Sequence, residues 1–277
     1  MIDKPVAIVT GASRGVGEAV AILLAEKGWN LTLTCSSSLK EAKKVAEKCN
    51  ELGSETLVIA ADVSNEEKCK DTVQSTLEKW DRLDSLINNA GTTVFNPHDK
   101  LDGLSTEDFI KIYKTNTVGP YMMIKESEEY LRKSSIASVV NIASIAGVIG
   151  VGSSVAYVAS KGALVMMTKS LAKALGPIRI NAICPGFIEG EWLRSGLGDE
   201  AYDFTKNAIE ASTPLSMVCN PEKVAKGVWF FIEDAVATTG ETLVLDGGFH
   251  LLSLIHISEP TRPLYISYAV FCLKKKI

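Results

Sequence analysis

Tyr157 and Lys161, in the stretch "VAYVASK", stand four residues apart. On a helix such residues lie one above the other on a single face, so a phenol and an ammonium group can address one ligand together. A free phenol, with a pKa of about 10, is a poor proton donor at neutrality. A cation held within about 4–6 Å favours the phenolate and draws that value down. The pair is therefore suited to general acid–base work at an oxygen atom. Taken alone, it fits equally well a helix face that only packs.

A second stretch, "VAIVTGASRGVGEAV", runs strand, glycine turn, helix, with Gly11, Gly15 and Gly17 close together. Glycines there let the backbone turn sharply and approach a pyrophosphate, whose charge sits at the amino end of the following helix. A tight turn without a ligand is the alternative, and the position on the first strand of a βαβ series favours the phosphate. An acid at the end of the second strand would hydrogen-bond an adenosine ribose and repel a 2′-phosphate. Here that strand ends "LTCSSS", with no carboxylate but with the hydroxyls of Ser36 and Ser37, and Arg14 offers a guanidinium nearby. That combination suits a phosphate dianion, so the expected cofactor is NADP(H) in preference to NAD(H).

These groups need a scaffold, and the rest of the chain describes one. Apolar, β-branched runs ("VAIV", "LTLT", "ETLVIA", "SLIN", "SVVNI", "RINAI", "ETLVL") alternate with helical segments. This is the rhythm of an α/β fold: a single-domain, Rossmann-type doubly wound sheet of about seven parallel strands with helices on both faces. The strands are continuously apolar, as strands covered on both faces must be. Two stretches, Val94 to Leu104 and Glu189 to Ser216, read as long irregular loops over the carboxyl ends of strands, where function concentrates. Residues 188–216 are expected to form a substrate lid, with Trp192, Leu193, Leu197, Tyr202 and Phe204, alongside Val94 and Phe95, as candidates for an apolar wall; several of these fit equally well the packed face of a short helix.

The 277 residues are 46% hydrophobic and carry a net charge of −4. No basic field is present to grip nucleic acid or anionic lipid. The six cysteines form no C-x-x-C pair and read as reduced thiols. Neither His98 nor His250 has an acid, cysteine or second histidine at ligand spacing, so no metal is expected. Without a signal-peptide pattern or a membrane span, the expected location is cytoplasmic.

Further motifs stand in order along the chain: "DVS" at Asp62 to Ser64, "NNAG" at Asn88 to Gly91, Asn116 in "YKTNTVG", Ser144 in "NIASIAG", "PG" at Pro185 and Gly186, and "TGETLVLDGG". With "TGASRGVG" and "YVASK", they make residues 4 to about 250 resemble the classical short-chain dehydrogenase/reductase family. That resemblance implies roles. Tyr157 is the general acid in carbonyl reduction and the base in reverse, and Ser144 holds the substrate oxygen. Lys161 binds the nicotinamide ribose and lowers the Tyr157 pKa, while Asn116 holds a water that relays protons. Ser13 and Val16 belong to the cofactor turn. Asp62 and Val63 meet the adenine, Asn89, Ala90 and Gly91 line the ribose side, and Pro185, Gly186 and Ile188 complete the cofactor site.

Within the family, "PGFIEG" and "TGETLVLDGG" look most like 3-oxoacyl-[acyl-carrier-protein] reductases of fatty-acid synthesis, which implies a 3-oxoacyl-thioester-like substrate and a homo-oligomer, tetramer or dimer. An alcohol, sugar or polyol dehydrogenase uses the same four residues in the oxidative direction. A non-catalytic dinucleotide-binding regulator would usually have lost the tyrosine or lysine, and both are present. Carrier-protein docking is doubtful: where such enzymes place two basic residues, this chain has Gly176-Pro177 and Ile136-Ala137, with Arg132 and Lys133 nearby. Gly190 stands where the family often has a threonine that contacts the cofactor, and its loss is expected to loosen the nicotinamide end.

The family-like domain is expected to occupy residues 1–251. Leu252 to Ile277 has no sustained periodicity, and "LSLIHISEPTR" and "ISYAVFCL" resemble translated sequencing-library adapter DNA. Residues 252–277 are therefore expected to be a non-native, disordered tail.

Overall fold

In the computed structural model, residues 4–252 are described. All but the first residue of the expected tail, Leu252, lies outside the described residues.

Among the described residues seven strands form one parallel sheet: β1 (Val6–Val9), β2 (Asn30–Cys35), β3 (Thr56–Ala60), β4 (Ser85–Asn88), β5 (Ser138–Ile142), β6 (Arg179–Pro185) and β7 (Thr242–Leu245). Their order is β3-β2-β1-β4-β5-β6-β7. Each strand coincides with one of the apolar runs read from the sequence. The chain winds outward from β1 in one direction and from β4 in the other, which opens a crevice between those strands at their carboxyl ends. β1, β2, β4 and β5 are buried throughout, whereas the edge strands β3 and β7 are not.

Among the described residues ten α-helices connect the strands: α1 (Gly15–Glu26), α2 (Leu39–Glu51), α3 (Glu66–Trp80), α4 (Thr106–Tyr113), α5 (Gly119–Leu131), α6 (Ala146–Ile149), α7 (Val155–Ala174), α8 (Glu191–Leu197), α9 (Asp199–Ser212) and α10 (Pro221–Trp229). One face of the sheet packs on α1, α2 and α10 through Val20, Leu24, Val45 and Val228, with Phe231 in the π-helical turn that follows α10 (Phe230–Asp234). The other packs on α3, α5 and α7 through Val73, Met123, Leu131 and Ala172. A π-turn, Lys114–Val118, joins α4 to α5.

The structure corrects one sequence expectation here. Glu189 to Ser216 is not an irregular loop: α8 and α9 occupy it. Its glycines, Gly190 and Gly198, punctuate helices, and α9 buries Tyr202, Thr205 and Ile209 at helical spacing. Val94 to Leu104 is a loop apart from the single turn Leu101–Gly103.

At the amino ends of the strands, the Asp84 carboxylate joins three segments. It accepts hydrogen bonds from Val6 N at 2.8 Å, Arg82 Nε at 2.9 Å and Ser134 Oγ at 2.7 Å. At the far end of the chain, Asp246 accepts from the backbone N–H groups of Gly248 and His250. Its carboxylate also lies 2.9 Å from His250 Nδ1. His250 thus has an acid beside it, contrary to the sequence reading, because the turn after β7 brings it back over Asp246, four residues earlier in the chain. Among the described residues there is no cluster of three metal-ligating side chains and no helix long and apolar enough to cross a membrane. The described cysteines are free and buried.

Candidate active site

A cleft of about 1480 Å³ lies over the carboxyl ends of the strands. The loops after β1 to β6 all contribute to it. Of the residues singled out in sequence, Gly11, Ser13, Arg14, Gly15, Val16, Ser36, Ser37, Asp62, Val63, Asn89, Ala90, Gly91, Ser144, Tyr157, Lys161, Pro185, Gly186 and Ile188 line it. Gly17 and Asn116 do not, and each acts from behind the wall.

Gly17 permits a close approach. A Cβ there would stand 2.3 Å from Gly11 O and 2.6 Å from Asn89 Nδ2. Without it, α1 could not pack down on the turn. Asn89 holds the same turn from β4, donating from Nδ2 to Thr10 O at 2.9 Å and to Gly11 O at 3.0 Å. At Gly15, by contrast, nothing lies within 4 Å of where a side chain would project. The turn and the first residues of α1, Gly15 and Val16, line the cleft, and the first N–H groups of a helix have no partner within it, so this end can receive a pyrophosphate. Arg14 occupies the N-cap position of α1 with an extended backbone and no side-chain capping hydrogen bond, and it makes no ion pair with any described residue. Ser36 and Ser37 follow β2 on the same side of the cleft.

α7 presents the second half of the site. Ser154 caps it by accepting a hydrogen bond from Tyr157 N at 3.2 Å, which starts the helix just ahead of the tyrosine. One turn on, Lys161 is 4% exposed, and its Nζ donates to Ile142 O at 2.7 Å, at the end of β5. Burial lowers its pKa to about 8. The ammonium lies 5.7 Å from the centre of the Tyr157 ring. Ser144 Oγ accepts from Ala146 N at 3.1 Å, which leaves its own proton available to an oxygen in the cleft.

Asn116, fully buried in the π-turn, has both amide protons committed. Nδ2 donates to Thr92 O at 2.9 Å and to Ser160 Oγ at 3.0 Å, while Oδ1 accepts from Thr92 N at 2.8 Å. A water relay at this residue would have to start from its main-chain carbonyl. Ser160 was not singled out in sequence. Its hydroxyl donates to Tyr157 O at 2.7 Å, and its carbonyl accepts from Thr117 Oγ1 at 3.0 Å. No sequence signal sets it apart from other small residues on a buried helix.

The expected apolar wall is partly corrected. Trp192, Leu193, Leu197 and Phe204 line the cleft, whereas Val94, Phe95 and Tyr202 do not. Tyr202 is buried behind the lid, its ring 5.2 Å from that of Phe187, and its hydroxyl accepts from Gly190 N at 3.2 Å. Gly190 itself has φ +149°, a conformation that favours glycine over threonine.

A parallel sheet of this order, with a glycine turn after β1 and a Tyr–Lys pair beside a serine, defines a nicotinamide-dependent oxidoreductase. The chain belongs to the short-chain dehydrogenase/reductase family. Residues 11–250 match the family model described as "Enoyl-(Acyl carrier protein) reductase". Among curated relatives, "Granaticin polyketide synthase putative ketoacyl reductase 2" of Streptomyces violaceoruber is 36% identical over 251 residues, covering 90% of this chain and 98% of the relative. The 3-oxoacyl-[acyl-carrier-protein] reductase FabG of Staphylococcus aureus is 30% identical over 248 residues, covering 88% and 98%. Solved structures agree. A "putative short-chain dehydrogenase/reductase from Burkholderia xenovorans" superposes with TM-score 0.83 at 34% identity, over 91% of this chain and 100% of that one. NAD+-bound xylitol dehydrogenase and ElxO with NADP bound each give TM-score 0.80, at 28% and 29% identity, over 90% of this chain and 100% of theirs. The curated relatives thus include ketoacyl and 3-oxoacyl-[acyl-carrier-protein] reductases, and the chain is an NAD(P)-dependent short-chain oxidoreductase acting on CH–OH or C=O groups.

Proposed function

We propose that the protein is an NADPH-dependent carbonyl reductase, with a 3-oxoacyl-thioester-like ketone as the favoured substrate. The observation that carries this is the buried Lys161 ammonium held one helical turn behind Tyr157 at the edge of the cleft, with Ser144 on the facing loop. The amino end of α1, Asn89 and the open Gly15 fit the cofactor's pyrophosphate. That Arg14, Ser36 and Ser37 line the cleft supports a 2′-phosphate there. When bound, the nicotinamide supplies the hydride.

The chain's own residues supply position and the proton. Ser144 donates to the substrate oxygen and fixes it beside the phenol. Tyr157 gives its proton to that oxygen as negative charge develops there. The Lys161 cation, fixed by Ile142 O, favours the phenolate left behind. Asn116 and Ser160 keep α7 in register with the π-turn, and the main-chain carbonyl of Asn116 is the available anchor for a proton-relay water.

Carrier protein is not expected to add much. Arg132 is occupied by Glu128 and by Gly176 O, and Lys133 by Glu129. Arg179 forks onto main-chain carbonyls after α10, including Ile232 O at 2.8 Å. All lie at the amino ends of β5 and β6, opposite the cleft. By family resemblance the enzyme works in the cytoplasm as a homo-oligomer.

The test is a spectrophotometric panel that follows NADPH oxidation with an acetoacetyl thioester, simple ketones and sugars. Turnover of the ketones or the thioester is expected. Reduction of NAD(P)+ by polyols or sugars, with no ketone turned over, would establish the second reading, an alcohol or polyol dehydrogenase, which the likeness to xylitol dehydrogenase supports.

A further inference from the structure

The two segments that overhang the cleft meet at one point. Phe95, in the loop after β4, lies against α8 so closely that a Cβ on Gly196 would stand 2.1 Å from its ring. The ring fills the notch that the glycine leaves. The same ring centre is 6.0 Å from that of Trp192, at an interplanar angle of 54°, a favourable tilted arrangement. Trp192 and Gly196, four residues apart on α8, both meet Phe95. Trp192 also lines the cleft and is 43% exposed, so it has one side against Phe95 and another open to the cavity.

The lid wall has a defined chemistry. Leu193, Leu197 and Phe204 extend the apolar surface beyond Trp192, and Phe204 is 62% exposed. Two carboxylates on this wall are neutralised: Glu189 by Lys206 at 2.8 Å and Asp199 by Arg194 at 2.8 Å. The other two, Glu191 and Glu200, line the cleft without an ion pair to any described residue. The cleft's cations, Arg14, Lys111 and Lys161, come from other elements. α8 is flanked by Gly190 at φ +149° and Gly198 at φ +80°.

We propose that Phe95 and Gly196 form a latch that holds Trp192 as the apolar face of the substrate pocket, and that this pocket takes an uncharged ketone bearing a bulky or flat apolar group in preference to a small or anionic one. The proposal rests on the reductase reading above. An aryl or branched group laid on Trp192 gains both area burial and ring contact. A substrate carboxylate near Glu191 and Glu200 meets like charge and loses water without gaining a partner. With Phe95 in the notch, Trp192 is positioned before substrate arrives, so its ordering cost is not charged to binding.

The experiment uses the full chain with saturating NADPH and compares kcat/KM for 2-butanone, 2-tetralone, ethyl acetoacetate and acetoacetate. The aryl ketone is expected to exceed 2-butanone, and the neutral ester the acid, by at least about tenfold. Phe95→Ala and Trp192→Ala should each shrink the aryl preference to within about threefold, with the NADPH dissociation constant unchanged. Gly196→Val should act in the same direction, and Phe95→Ala carries the test if that variant fails to fold. Variants that keep the wild-type preference, or an acid used as well as its ester, would overturn the proposal.

Failure of the reductase reading is separable, because there no ketone would oxidise NADPH. The latch is then read by quenching of tryptophan fluorescence by 2-tetralone in the presence of NADP+. Loss of that quenching in Trp192→Phe, with binding weakened at least about tenfold in Phe95→Ala, supports it. Absence of binding to the wild type overturns it.

Discussion

The Nδ2 of Asn116 lies 3.0 Å from the hydroxyl of Ser160, and this contact joins the π-turn to the helix that carries Tyr157 and Lys161. Because Ser160 also donates to Tyr157 O, its hydroxyl is a tie between two elements rather than a surface group. Ser160→Ala should leave Asn116 bonded to Thr92 and the fold intact. It should lower kcat and kcat/KM together by about 5- to 100-fold, as expected for a small misplacement of the reacting groups. Steady-state kinetics check this, and an unchanged kcat would reduce the contact to packing.

Tyr157→Phe keeps the ring and removes the proton. Turnover should fall by on the order of 100- to 10,000-fold while dinucleotide affinity stays nearly constant. Turnover above about a tenth of wild type, measured where chemistry limits the rate, would exclude Tyr157 as the acid.

The pH profile follows from Lys161. Desolvation draws its pKa down to about 8, so the ammonium is fully charged in acid, mostly charged at neutrality, and lost as pH rises through that value. Since the cation is what favours the Tyr157 phenolate, kcat/KM for ketone reduction should hold near neutrality and decline above about pH 8. A profile flat to about pH 10 contradicts this assignment.

Cofactor choice turns on Arg14. NADPH should bind more tightly than NADH, and Arg14→Ala should erode that difference by about 1.5–3 kcal/mol, the scale of a hydrogen bond to a charged group. Fluorescence titration of both cofactors decides it, and equal dissociation constants in the wild type would refute it.

Stability away from the site is tested at Asp84, which is 2% exposed. Asp84→Ala removes the acceptor for Val6 N, Arg82 and Ser134 at once and should cost about 2–4 kcal/mol in denaturant unfolding. Activity below the transition should be retained, because these contacts lie at the amino ends of the strands. A loss below about 1 kcal/mol would show that water replaces the carboxylate without penalty.

The strands, the glycine turn and the Tyr–Lys pair were legible in the sequence for a common reason. Each is encoded over a few neighbouring residues: continuous apolar runs for strands buried on both faces, glycines where backbone must approach phosphate, and a four-residue spacing on one helix face. α8 and α9 were legible only as an alternative, a short helix within a stretch that reads as irregular, because glycines at 190 and 198 mark helix ends as readily as loops. The acid beside His250 stands four residues before it, a spacing the sequence shows, but only the turn after β7 brings the two groups together.

What lies between distant segments was settled by the tertiary structure alone. Phe95 and Gly196 are far apart in the chain, and neither residue type announces a contact, yet the ring fits only because position 196 has no side chain. The link from Asn116 through Ser160 to Tyr157 likewise depends on the π-turn meeting α7. Local pattern specifies which residues are apolar, which can turn and which can donate a proton. Only packing, which is dense and directional, decides which of them meet.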